Sequence, residues 1–65
     1  MSKMITNTIR EIRLYKINTE TNQKKLIAFA HANDSLSVRI LNATAETLSF
    51  NLEDNEKLEK EYIYR

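Results

Sequence analysis

Apolar and polar positions alternate along much of this chain. Leu36, Val38 and Ile40 alternate with Ser37 and Arg39, and Leu48, Phe50 and Leu52 with Thr47, Ser49 and Asn51. A period of two predicts a half-buried strand in each stretch. Residues 26–32 interleave two apolar sets: Leu26, Ala28, Ala30 and Ala32 against Ile27, Phe29 and His31. That suits a strand covered on both faces, with a short alanine-favoured helix as the alternative. Residues 8–18 are rich in β-branched and aromatic side chains and run into Asn18-Thr19. They predict a first strand, frayed or bulged at its start.

The last segment changes period. Glu53 with Lys57, Glu56 with Lys60 and Glu61 with Arg65 are acid-to-base pairs four residues apart, in the order that favours a helix. Leu58 and Tyr62 would share one helical face. The pattern predicts a C-terminal helix over residues 53–65; a final strand with Tyr62 and Tyr64 on one side is the competitor. The sequence has no Gly or Pro, so Asn and Asp must make the turns. The expected sites are 18–23, Asn33-Asp34, 42–46 and Asp54-Asn55. Asn33, Asn42 and Asn51 fall nine residues apart, a spacing suited to a meander of short strands.

These elements predict an α+β fold, a small antiparallel meander of about four strands with one C-terminal helix. An all-β form with five strands is second. The expected core is Ile12, Leu14, Ile17, Leu26, Ala28, Phe29, Val38, Ile40, Leu48, Phe50, Leu52, Leu58 and Tyr62.

Length limits that core. The 65 residues read as a single domain, and a chain of this size buries only about 60% of its unfolded surface. With no Cys, a disulfide and a thiolate metal site are both excluded. No apolar run approaches the roughly 20 residues of a membrane span. The first seven residues lack a long apolar stretch, so they do not read as a secretory leader. A cytoplasmic protein without membrane attachment is the expectation.

Chemistry is sparse. His31 is the only histidine and reads as a partly buried strand-end residue rather than a metal ligand. Catalytic residues, cofactors and metals are not expected. The acids of residues 53–61 spread around the predicted helix instead of converging as a catalytic pair would. Charge is divided along the chain, net +4 over residues 1–39 and −3 over residues 40–65. Such a division reads either as two opposed binding faces or as two halves that neutralise each other in the fold. Arg10, Arg13, Lys16, Lys24, Lys25 and Arg39 are expected on strands one to three and the first turn. With Tyr15 they would form a nucleic-acid platform, cations meeting phosphates and the ring stacking on a base.

The run Glu11-Ile12-Arg13-Leu14-Tyr15-Lys16-Ile17-Asn18-Thr19-Glu20 resembles the opening of the SpoVG family of small bacterial nucleic-acid-binding regulators. Lys25-Leu26-Ile27-Ala28-Phe29-Ala30, Val38-Arg39-Ile40-Leu41-Asn42 and Leu48-Ser49-Phe50 are similar to its following segments. The resemblance covers residues 8–52 and implies a regulator that binds DNA or RNA. It departs from the family in lacking that family's Gly-containing turn and Met-Pro-Ser segment, and in being acidic where the family is basic.

Two functions follow as expectations. The first is a small non-enzymatic regulator binding nucleic acid through basic strands. The second is a protein-binding modulator, such as a phage or mobile-element product acting on a host protein through its acidic, aromatic C-terminal segment. Glu56, Glu59, Tyr62 and Tyr64 would form that partner surface. A homodimer is expected as well, paired through the apolar first strand as a sheet edge or through aliphatic sheet faces.

Overall fold

A computed structural model describes residues 8–64. The reading of residues 1–7 as no leader, and the pairing of Glu61 with Arg65, lie outside them. Among the described residues the element order is β1 (Ile9–Asn18), β2 (Lys24–His31), α1 (Ser35–Ser49) and β3 (Glu56–Tyr64). The sheet is antiparallel with strand order β2-β1-β3, and α1 packs on one of its faces, chiefly over β2. The fold is α+β, as the pattern predicts. Its parts are distributed differently.

The helix is internal. The strand expected at residues 36–40, the turn expected at 42–46 and the start of the strand expected at 48–52 are one continuous helix ending at Ser49, and residues 50–52 follow it without strand structure. The reason is visible in its packing. Val38, Leu41, Ala45 and Leu48 face the sheet at spacings of three and four, the period of a helix face. Leu36, Ile40 and Phe50 lie outside it, 61%, 58% and 81% exposed. Two apolar rows interleaved on one helix imitate strand alternation. Asp34 starts the helix: its carboxylate accepts from the Ser37 amide at 3.2 Å and the Ser37 hydroxyl at 2.8 Å. Those bonds satisfy one of the first turn's unpaired donors.

The C-terminal segment is a strand, the competitor reading, and not a helix. Its charges pair across the sheet instead of along a helix: Glu56 with Lys16 at 3.2 Å and Glu59 with Lys24 at 3.4 Å. Strand β3 also displaces an expectation about β1. The first strand is central, paired on both sides, so it offers no edge for dimer formation.

The turn at 18–23 forms where expected. Asn18 Oδ1 accepts from the amides of Glu20 and Thr21, and Asn22 takes the left-handed conformation at φ 62°, which asparagine tolerates well. The irregular start of β1 also appears, as a register shift between Ile9 and Glu11 against β3.

A second register shift decides the core. Leu14 pairs with Ala28 but Tyr15 pairs with Leu26, so Ile27 is an extra residue in β2. The two apolar sets of residues 26–32 exchange members at this bulge. Ile27 joins Ala28 and Ala30 under the helix, while Leu26 joins Phe29 on the far side, 47% and 57% exposed. Among the described residues the buried apolar side chains are Leu14, Ile17, Ala30 and Leu41. Of the expected core, Leu26, Phe29, Ile40, Phe50 and Tyr62 are exposed. Leu41, Ala30, Ile27 and Ala45 take part in the core instead.

Leu14→Ala and Leu41→Ala should each lower the unfolding free energy by about 2–5 kcal/mol, the usual range for truncating a fully buried leucine. Leu26→Ala should lower it far less. Urea denaturation at fixed pH measures all three. The Asp34 cap gives a separate expectation. Hydrogen bonds from the Ser37 side chain and amide hold its pKa below the ordinary aspartate value. A depressed pKa contributes stability that is complete above the unfolded value, about 3.9, and is lost as pH falls through the native one. Asp34→Ala should therefore have a lower Tm at neutral pH, and the gap from wild type should close on acidification below about pH 4. Thermal melts across that range read the gap directly.

Candidate functional surfaces

Alternation along the central strand divides the sheet into a covered face and a far face. Ile12, Leu14 and Lys16 point toward the helix side; Glu11, Arg13, Tyr15 and Ile17 point away. The register then places Lys24, Leu26, Phe29 and His31 of β2, and Lys57, Glu59, Glu61 and Ile63 of β3, on that far face. No element among the described residues covers it. Ile17 is nonetheless buried there, between its cross-strand neighbours Lys24 and Lys57, whose aliphatic stems can flank it.

Most charges of the far face are engaged by neighbouring side chains. Arg13 Nε donates to Glu11 Oε2 at 2.7 Å, and this contact is the largest cause of the upward shift of the Arg13 pKa. Tyr15 Oη donates to Glu61 Oε1 at 2.9 Å. Lys24 reaches Glu59 and also lies over the Tyr15 ring, 4.3 Å from its centroid. Three cations (Arg13, Lys24, Lys57) thus share this face with three anions (Glu11, Glu59, Glu61).

The seven residues expected to contact nucleic acid are not gathered on one surface. Arg13, Tyr15 and Lys24 lie on the far face, and Lys16 on the helix side. Arg39 is exposed on α1 and not on a strand. Arg10 is exposed near the end of β2, beside His31, Ala32 and Asn33. Lys16, Lys24 and Lys25 do converge around a shallow depression at the β1–β2 hairpin, with Asn18, Gln23 and Glu56. Glu56 accepts from the Glu53 amide at 3.0 Å and pairs with Lys16. Both contacts hold its pKa below the usual glutamate range, the amide bond first.

The expected partner residues are divided too. Tyr62 and Tyr64 stand exposed on β3, 44% and 53%, while Glu56 and Glu59 are engaged by lysines. His31 is exposed rather than partly buried, with its ring edge-on to Phe29 at 6.1 Å. Among the described residues no group of three or more His, Cys, Asp or Glu is placed to hold a metal ion. No helix among them is long and apolar enough to cross a membrane.

Sequence reasoning missed one surface. On the solvent side of α1, Leu36, Ile40, Ala43, Thr47 and Phe50 follow one another at intervals of four, three, four and three. Shallow depressions lie along this row, and Arg39 and Glu46 border it. The spacing was present in the chain, but it becomes a signal only once residues 35–49 are known to be helical.

No family model matches the chain, and neither curated proteins nor solved structures give a match.

Proposed function

We propose that this chain is a non-enzymatic protein-binding module that engages its partner through the far face of the sheet. The carrying observation is the composition of that face. Leu26 and Phe29 stand exposed on it, among three cations and three anions. A polyanion binds by neutralising its phosphates against a net positive surface, and this face has no net charge. Large apolar side chains ringed by both signs suit a folded protein surface, with aromatic anchors at the centre and a polar rim. The partner's matching patch would be apolar with alternating charge. This reading keeps the protein-binding class expected from the sequence but moves the contact from the C-terminal segment to β2 and β1.

A second reading retains one specific support. Lys16, Lys24 and Lys25 around the hairpin depression are a local basic cluster of the kind that meets phosphate oxygens. The resemblance of residues 8–52 to the SpoVG family favours the same reading.

Affinity capture from a nuclease-treated bacterial lysate separates the two. The expected result is one stoichiometric protein whose recovery is lost with Phe29→Asp and kept with Lys25→Ala. The same protein should give no shift of DNA or RNA at low salt. Recovery of nucleic acid alone, with a salt-dependent affinity that falls in Lys25→Ala, would overturn the protein-binding proposal in favour of the second reading.

A further inference from the structure

The outer row of α1 is unexplained by the fold and is separate from the far face of the sheet. A helix apolar on two sides is ordinarily covered on both. Here Val38, Leu41, Ala45 and Leu48 are covered by the sheet, and Leu36, Ile40 and Phe50 are covered by nothing among the described residues. Their spacing with Ala43 and Thr47 is that of a helix-pairing seam, in which apolar positions recur every three and four residues.

We propose that this seam binds a second copy of the same chain, two α1 helices packing antiparallel about a two-fold axis near Ala43. The bordering charges select this occupant. Arg39 and Glu46 lie along the same flank of the row, seven residues apart on either side of its middle. Among the described residues neither has an ion-pair partner within the chain. Turning a second helix antiparallel about the middle of the row brings Arg39 of one copy opposite Glu46 of its partner, and the symmetry makes the same pair twice. A parallel two-fold arrangement would place these flanks on opposite sides of the seam and make neither pair. The apolar residues fit the same operation. Ala43, the smallest side chain of the row, falls at the crossing where the backbones come closest. Leu36 and Ile40 of each copy then lie over the Ala43–Thr47 half of the other, with Phe50 closing the end. The proposal stands apart from the partner assigned to the sheet, since the far face stays open in such a dimer.

Sedimentation equilibrium across the micromolar range tests it. The wild type should reach twice the 7.6 kDa chain mass with concentration. Ile40→Glu, at a site already exposed in the single chain, should raise the dissociation constant by roughly tenfold or more, because it forces a carboxylate into the seam. Arg39→Glu should weaken pairing by about fivefold, two rim pairs having turned repulsive, and the exchange Arg39→Glu with Glu46→Arg should restore it. Amide shifts of the wild type on dilution give a check independent of any variant; they should move along the row from Leu36 to Phe50. Three results would each overturn the proposal. One is a single species at the chain mass with no concentration dependence. Another is a dimer unaffected by Ile40→Glu. The last is a charge-exchanged variant no tighter than Arg39→Glu alone.

Discussion

Every other feature of this molecule depends on one packing contact, the seat of Leu41 on Leu14 and Ala30. These three are almost fully buried and come from the helix, the central strand and the strand beside it. The contact forms because β2 supplies Ala28 and Ala30 where the helix crosses, and small side chains let helix and sheet approach closely. It also sets the position of the helix. By packing over β2 it leaves the β3 side thinly covered, so Tyr62 and Tyr64 stand in solvent. Among the described residues, one helix and three strands can cover one sheet face once. The remaining apolar side chains must lie outside; besides the tyrosines of β3 they do so on the far face of the sheet and on the outside of the helix.

The charge division of the sequence has its physical resolution in the topology. The acidic C-terminal segment does not form a separate surface. It lies against the basic first strand along the whole of β3, and its glutamates meet Lys16, Tyr15 and, across the sheet, Lys24. Individually such exposed pairs contribute little stability. Their larger effect is on the surface potential, since they cancel the field that the first half of the chain would present alone. Of the two sequence readings of that division, mutual neutralisation describes the sheet.

The sequence carried β1, β2, the turns at 18–23 and Asn33-Asp34 and the α+β class, because these rest on local signals: β-branched runs, and the Asn18 and Asp34 side chains, which bond nearby backbone amides. It misled where two periods coincide. Residues 35–49 contain one apolar row for the sheet and a second for solvent, and their sum alternates like a strand. Residues 56–64 carry acid–base pairs four apart, which support a helix locally, while Leu58 and the tyrosines keep the strand's period. Pairing with β1 and, across the sheet, with Lys24 decided the second case, and no local rule holds that information. The bulge at Ile27 was likewise illegible, since adding one residue to a strand changes its facing and leaves its composition unchanged. Placement of the candidate site suffered accordingly: Arg39 moved from strand to helix, and Leu26 and Phe29 from core to surface.

The far face of the sheet and the outer row of the helix lie on opposite sides of a two-layer molecule, and that arrangement bears on how they could act together. Pairing through α1 would place the helices at the centre of an assembly and turn the two sheets outward. Each far face would then be presented in the same form on opposite sides, related by the two-fold axis. A partner with repeated or symmetric surfaces could be held at two points, with the second contact strengthened by its effective concentration. The small core would gain as well, since covering Leu36, Ile40 and Phe50 removes apolar surface that the single chain cannot hide. Stability and binding would thus be linked through the dimer, each favoured by the concentration of the chain. Such a link would let so short a sequence, with neither cysteine nor glycine, leave apolar surface outside the single chain and cover it in the assembly.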